Sequence, residues 1–384
     1  MKCERIWTDS AGLDYNATTP IYPEVVDAMM PWFRERFGNP SSEHFFGREA
    51  REELECSRAE VAALIGAQSY EIVFTGSASE ANNLAILGTT LEKGRSNPSI
   101  VISSVEHPSV LQPSLRRKEE GWAMVLLPVD SFGRVDLREA ERAIGKNTAL
   151  VSVMLANNET GTIQPIREIA NLAHFCGALF HVDAAQAIGK ISVDVKTIGA
   201  DLLTVAGHKF YAPKGIGALY VRQGISLSPI LSGAGHERGL RPGTENVPYI
   251  AALGAAARLS RENLREEPDR IQRLREKLHG RLSTAIPGLR LNGHPEDRLP
   301  NTLNLSFPKV KGWDLLSATP GIAASTGSAC HEGIHAASPV LLAMHLDESR
   351  ILGAVRLTLG RFTTESEIDS SANLLITAWR GLTS

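Results

Sequence analysis

The sequence predicts an α/β fold: a large domain on a mostly parallel seven-stranded sheet, residues 15–255, and a smaller α+β domain, residues 256–384 together with 1–14. Three observations carry this reading. From about Glu71 to Arg222, short β-branched runs alternate with longer helical patterns, as in a parallel sheet wrapped by helices. Most of those runs are apolar throughout rather than alternating, as strands covered on both faces require. Near Ala251 the pattern changes to a long charged helical stretch, Arg261 to Leu282, and then to hairpin-like alternation, which marks a second unit.

In chain order, strands are expected at Ile72–Phe74, Ile100–Ser103, Met124–Leu127, Leu150–Leu155, Leu179–Val182, Leu202–Val205 and Gly217–Val221. Small residues, Thr75 to Ser79, follow the first run and lead into a helix through Ala81-Asn82-Asn83-Leu84. The dense charges from Arg261 to Glu267 are assigned to a solvated helix face. No internal repeat or low-complexity segment interrupts the pattern.

Composition excludes several classes. The chain has 384 residues, 43% hydrophobic and 22% charged, with a formal net charge of −3, so neither a nucleic-acid nor a membrane partner is indicated. Met1-Lys2-Cys3-Glu4-Arg5 is followed by no apolar run of signal-peptide length, and no stretch approaches membrane-spanning length; the expected compartment is the cytoplasm. Without secretion the sequon Asn16-Ala17-Thr18 carries no meaning. Cys3, Cys56, Cys176 and Cys330 are far apart, which argues against a disulfide framework or zinc knuckle. Cys176 and Cys56, on helical patterns, are expected in the core.

In an open parallel sheet, ligands gather beyond the carboxyl ends of the strands, so the residues after each run sample the site. Ala78 and Ser79 open a helix whose free amides suit a phosphate, although a plain serine cap with Glu80 completing a capping box reads equally well. His107 follows Ser103, Asn158 follows Leu155, and Asp183 and Gln186 follow Val182. Lys209 ends the run Leu202–Val205 after a glycine turn. A lysine there can be desolvated enough to form a Schiff base with an aldehyde, though most lysines simply lie at the surface. Each residue alone could be a cap or a turn. Together they match one cofactor: an aspartate keeps a pyridine nitrogen protonated, a lysine holds the aldehyde and an imidazole packs on the ring, which is the requirement of pyridoxal 5'-phosphate.

Cys330 lies in Ala323–Gly333, a run too small and glycine-rich for a packed element. Its neighbours offer no apolar shell and His331 could favour the thiolate, so a nucleophile is inferred. His331-Glu332-Gly333-Ile334-His335 matches the zinc-hydrolase pattern in letters, but glycine inside it and Ser338-Pro339 after it argue against the helix that such a site needs; no metal is expected. Gly233 to Gly239 only approximates a dinucleotide fingerprint.

The chain resembles the cysteine desulfurases and selenocysteine lyases, in the class-V aminotransferase group of fold-type I pyridoxal-phosphate enzymes. The resemblance runs over nearly the whole chain: Asp14–Pro20, Phe37–Ser42, Glu106-His107, Asn157–Gly161, His181–Gln186, Gly207-His208-Lys209, Arg241–Asn246, Gly327–Cys330 and Arg356–Arg361. It implies that Lys209 binds the cofactor aldehyde and moves the substrate α-proton, that Asp183 pairs with the pyridine nitrogen and Gln186 with the phenolic oxygen, and that His107 stacks on the ring. It further implies that Ala78, Ser79 and His208 hold the phosphate, that Thr244 reaches the phosphate of a neighbouring subunit in a homodimer, and that Arg356 with Asn158 holds the substrate carboxylate. Cys330 would take sulfur from L-cysteine as a persulfide, leaving L-alanine, for delivery to an unidentified protein acceptor.

Two departures stand out. Ala206 replaces a serine common in the family, removing one phosphate hydrogen bond. After Arg361 only one helix is expected, so the longer tail with which housekeeping members of the family dock an iron-sulfur scaffold is expected to be absent, which leaves the acceptor open. The Ala329-Cys330-His331 and Ser338–Leu342 stretches look closer to selenocysteine lyases, so L-selenocysteine is an alternative substrate. An aminotransferase or carbon-sulfur lyase of the same fold is a further one.

Overall fold

The computed structural model describes residues 11–90, 97–327 and 337–384; Cys3, Cys330, His331 and His335 lie outside them. Among the described residues the α/β fold is as expected. One seven-stranded sheet contains β1 (Ile72–Thr75), β2 (Ser99–Ser103), β3 (Ala123–Leu127), β4 (Thr148–Met154), β5 (Leu179–Asp183), β6 (Leu202–Ala206) and β7 (Gly217–Val221). Their spatial order is β1-β7-β6-β5-β4-β2-β3. Only β7 runs against its neighbours, pairing antiparallel with β1 and β6. Every residue of β4 is buried, whereas edge strand β3 is largely open; strands covered by helices on both faces need apolar residues without alternation.

Helix α1 (Phe45–Leu64) packs against α3 (Val247–Asn263). Helix α2 (Ala78–Gly88) starts directly after β1. Cys56 does not lie in the core as expected: it is exposed. The buried stripe of α1 runs through Leu54, Ser57, Arg58 and Val61, and at 3.6 residues per turn Cys56 faces away from it. Cys176 is half-buried just past the helix Ile166–Phe175.

The charged stretch Arg261–Leu282 is not one helix. It breaks between Asn263 and Glu267, where α3 ends and α4 (Glu267–Ala285) begins with Pro268 in its first turn. Proline lacks an amide hydrogen and is tolerated at a helix start, not within one. Helix α3 also passes unbroken through 255/256.

A second, antiparallel sheet holds β8 (Arg290–Asn292), β9 (Thr302–Ser306) and β10 (Ala354–Thr358), in the order β10-β9-β8. Leu303, Leu305 and Leu357 of this sheet share a core with Leu274, Leu278 and Leu282 of α4 and with Ile368 and Leu375 of α5 (Glu365–Thr383). One segment joins the two units. Ala11-Gly12 pairs with Ile322-Ala323, Asn16 N–H donates to Thr358 Oγ1 at 3.0 Å, and Thr19 N–H reaches the His208 carbonyl at 3.0 Å. That thread carries Asn16 into the space between the sheets.

Candidate active site at the carboxyl ends of the strands

The carboxyl ends of β1, β2, β4, β5 and β6 open on a cavity of about 330 Å³, within the range of small-ligand sites. Ala78, Ser79, His107, Asn158, Asp183, Gln186, His208, Lys209 and Arg356 all line it. Thr244 does not; it is exposed on the loop that precedes α3. Cys330 lies outside the described residues. A larger groove of about 780 Å³ exists elsewhere, lined in part by Ala234–Arg238. There Arg58 already holds Glu237 through two contacts of 2.8 Å, and the groove brings together none of the residues expected to act on a cofactor, so volume is a poorer guide here than chemistry.

Lys209 sits on the turn Gly207–Lys209 that closes β6. Its Nζ donates to the carbonyls of Asn16 at 2.6 Å and Ala17 at 2.9 Å. Burial, with a smaller push from Arg356 and an opposing pull from Asp14 and Asp183, lowers its pKa to about 8. A lysine so placed is a neutral amine for a useful fraction of the time near neutrality, as a nucleophile toward an aldehyde must be.

Asp183 ends β5 and is buried. Its Oδ2 accepts from Asn82 Nδ2 at 2.8 Å and its Oδ1 from the Ala185 amide at 2.9 Å. Asn82, fully buried on α2, also donates to Ser109 Oγ at 2.8 Å, so one amide ties the carboxylate to the start of the helix Pro108–Glu119. Beside this, Glu106 is half-buried, with its carboxyl turned inward; its Oε1 accepts from Ser103 Oγ at 2.6 Å and the Met154 amide at 2.7 Å. Burial pushes its pKa up to about 8, opposed by those two bonds and reinforced by Asp183. Its Oε2 has no partner. At neutral pH Glu106 is therefore chiefly an uncharged acid.

His107 caps the helix Pro108–Glu119 through Nδ1, which accepts from the Ser109 amide at 3.1 Å. Burial lowers its pKa, Asp183 raises it and Lys209 lowers it further, for a net fall, so the ring beside the cavity is neutral at pH 7. His208 is likewise depressed, to about 4, by burial and then by Lys209, Lys214 and Lys190; its Nδ1 lies 3.2 Å from Thr18 Oγ1.

At the phosphate end, Ser77 is the cap of α2, its Oγ accepting from the Glu80 amide at 3.1 Å while Glu80 Oε2 accepts from the Gly76 amide at 2.8 Å. The expected capping box is only half formed, because the Glu80 carboxylate takes the amide of Gly76 rather than that of the cap residue Ser77; Ala78 and Ser79 lie in the first turn beside the cavity. A helix N-terminus with unsatisfied amides suits an anion. The approach is close: a Cβ on Gly217 of β7 would stand 2.7 Å from the Val205 carbonyl and 3.0 Å from Ala78 N, so only glycine lets the strand pass. Ala206, buried at the end of β6, lines the same cavity.

Arg356 enters from β10 of the small sheet. Its Nη2 donates to Asp14 Oδ1 at 2.8 Å and its Nη1 to the Asn158 carbonyl at 3.1 Å, while its buried Nε has no partner. Near it, Glu159 is buried; its Oε2 accepts from Ser338 Oγ at 2.6 Å. Burial raises its pKa to about 7 against the pull of Ser338 and Arg356.

Sequence reasoning assigned no role to Asn16, Asn82, Asp14 or Lys190. Asn16 is the hub. Its carbonyl accepts from Lys209 Nζ and Gln186 Nε2, its Oδ1 from Lys190 Nζ and Asn301 Nδ2, and its Nδ2 donates to Thr302 Oγ1 and the Asn158 carbonyl. The one available signal was that Asn16 falls in the run Asp14–Pro20, already marked by resemblance.

The donor set fits a pyridoxal-phosphate-sized ligand at each end: free helix amides at one, a held carboxylate at the other, and a depressed lysine between them. Among the described residues no three His, Cys, Asp or Glu side chains stand together to hold a metal ion, and no helix is long and apolar enough to cross a membrane.

Residues 12–370 match the family model for class-V aminotransferases. The chain is 44% identical over 364 residues to a cysteine desulfurase, IscS 1, of Archaeoglobus fulgidus, covering 94% of this chain and 95% of that one. It is 45% identical over 359 residues to a cysteine desulfurase of a Nostoc species, covering 93% and 90%. Among solved structures, a NifS-like protein superposes with a TM-score of 0.89 at 35% identity, covering 97% of this chain and 99% of that one. SspA, solved in complex with cysteine, superposes with a TM-score of 0.81 at 34% identity, covering 92% and 99%.

Proposed function

The chain belongs to the class-V aminotransferase family, on its cysteine-desulfurase branch, and from that premise we propose that it is a pyridoxal-phosphate-dependent cysteine desulfurase. The observation that carries the reading is the meeting of Lys209, Asp183 and Arg356 in one cavity, with the lysine's pKa lowered. When bound, the cofactor supplies an electron-withdrawing ring that makes a substrate Cα proton acidic.

The protein's own residues do the rest. The amides of Ala78 and Ser79, with His208, bind the phosphate. Asp183, held by Asn82 and Ala185, pairs with the ring nitrogen, and Gln186 donates to the phenolic oxygen. Neutral His107 stacks on the ring. Arg356, assisted by Asn158, turns from Asp14 to the substrate carboxylate, a bidentate match for guanidinium geometry. Lys209 moves the α-proton, as an amine with pKa about 8 can both accept and return it near neutral pH. Cys330 attacks the substrate sulfur: an S–S bond forms, the Cβ–S bond breaks, its electron pair goes to carbon, and protonation leaves L-alanine.

Thr244 is exposed and outside the cavity, while Arg241 of the same loop pairs with Glu80 of α2 at 3.0 Å. That position supports a role toward a neighbouring subunit's phosphate, hence a homodimer. The persulfide would pass to a protein acceptor, and the cytoplasm is the proposed site of action.

The test is Cys330→Ala. The variant should keep the yellow cofactor and lose sulfur transfer from L-cysteine. Product formation that survives unchanged would make Cys330 incidental and favour a lyase or aminotransferase. Negligible turnover of L-cysteine beside fast turnover of L-selenocysteine would replace the substrate.

A further inference from the structure

A second lysine stands behind the cavity. Gln186 and Asn16 line the cavity itself, whereas Lys190, four residues beyond Gln186, lines a separate void of about 40 Å³. Its Nζ donates to Gln186 Oε1 at 2.6 Å and to Asn16 Oδ1 at 3.0 Å. Among the described residues no carboxylate pairs with it, so the ammonium is balanced only by neutral amides. A poorly solvated cation without a counter-ion is costly, which asks for a purpose beyond packing.

An ammonium has three donors and no acceptor. Only an oxygen can face it, so the Gln186 amide cannot turn over without setting its NH₂ against the NH₃⁺. The donor end, Nε2, is thereby kept on the cavity side, where it already donates to the Asn16 carbonyl at 3.0 Å beside Lys209 Nζ. Asn16 Oδ1, gripped by the same ammonium and by Asn301 Nδ2 at 3.0 Å, fixes the backbone between the two lysines.

We propose that Lys190 is a positioning residue for the cofactor: by clamping Gln186 Oε1 and Asn16 Oδ1 it holds the Gln186 amide donor-first toward the phenolic oxygen. The inference rests on the pyridoxal-phosphate reading of the cavity. A donor at that oxygen withdraws the negative charge that retains a proton on the neighbouring lysine–cofactor linkage, so the clamp lowers the pH at which that proton leaves. Charged and titratable groups around Lys190 are Lys209, His208 and Arg356 on the cavity side, and Glu267, Arg361, Tyr22 and Tyr211 around the void. Burial, then Lys209 and Arg356, depress the Lys190 pKa well below the ordinary lysine value.

The experiment is a pH titration of the visible absorption band of the cofactor-loaded protein. Lys190→Met should raise its midpoint by about 1 pH unit, and Lys190→Arg, which keeps the donors, should restore most of it. In a Gln186→Ala background the added Lys190→Met should move the midpoint by less than about 0.3, because the clamp then has nothing to hold. An unmoved midpoint in Lys190→Met overturns the inference, as does an equal shift with Gln186 absent, which would assign the effect to charge through space. Should Lys190→Met fail to fold, Lys190→Arg against Gln186→Ala gives the same decision: the arginine variant must titrate like wild type and the alanine variant high. Wild-type protein that takes up no cofactor overturns the underlying reading and the inference with it; coloured wild type with unshifted variants overturns the inference alone.

Discussion

Glu106→Gln should make the protein more stable at alkaline pH and leave it unchanged in acid. The folded Glu106 pKa is raised from 4.5 to about 8, chiefly by burial, so between those values the native state holds a proton that the unfolded chain has released. Stability from this group is therefore complete below about pH 4.5, declines as pH rises, and is lost by about pH 8. At about 1.4 kcal/mol per pKa unit the upper bound is roughly 5 kcal/mol. Local relaxation and water entry relieve a buried charge, leaving roughly 2–3 kcal/mol as the expected difference. Glutamine keeps an acceptor for Ser103 Oγ and the Met154 amide and replaces the acid proton with an uncharged NH₂. Urea unfolding of cofactor-free protein and variant from pH 5 to 9 measures it. The two curves should coincide at pH 5 and separate steadily, the variant higher, to pH 8.5. Parallel curves across the range would mean that Glu106 is ionised in the native state at neutral pH, and the reading of it as a buried uncharged acid would fall.

Three further outcomes are expected. Asn82→Ala removes the donor on Asp183 Oδ2; with a net hydrogen-bond value of about 1.5–3 kcal/mol to a charged group, cofactor dissociation measured by absorbance titration should weaken roughly 10- to 150-fold. Gly217→Ala forces a Cβ to 2.7 Å from the Val205 carbonyl; overpacking of about 1–3 kcal/mol should lower the thermal midpoint, and because Ala78 N is also displaced, inorganic phosphate should compete less well for the site. Arg356→Gln should leave the visible band in place while raising KM for L-cysteine about 100-fold, since a bidentate charged contact is replaced by a neutral one; an unchanged KM would show that another cation holds the carboxylate.

All seven strands of the large sheet were legible because aliphatic runs bounded by turn residues admit little else. The rim was legible for the same reason: in a parallel sheet every strand end faces one crevice, so His107, Asp183 and Lys209 could be grouped without knowing a distance. Positions that depend on contacts across the chain were not. Asn16 bonds to residues as far away as Thr358, and nothing local distinguishes its amide from a loop asparagine. Lys190 looked like any lysine after a helical turn until the fold closed over it. The helix expected from Arg261 to Leu282 failed at a residue that was in plain view, Pro268, because charge periodicity on both sides hid the break. Cys56 was misplaced because helical phase, rather than residue type, decides which face is buried.

The central claim is that Lys209 carries the cofactor. Incubating the purified protein with pyridoxal phosphate, reducing with borohydride and mapping the fixed label by peptide mass spectrometry tests it in one measurement. The account predicts a yellow protein whose label lies on Lys209 and which stays colourless when Lys209 is replaced by alanine; label on another lysine, Lys190 included, or none at all, would contradict it.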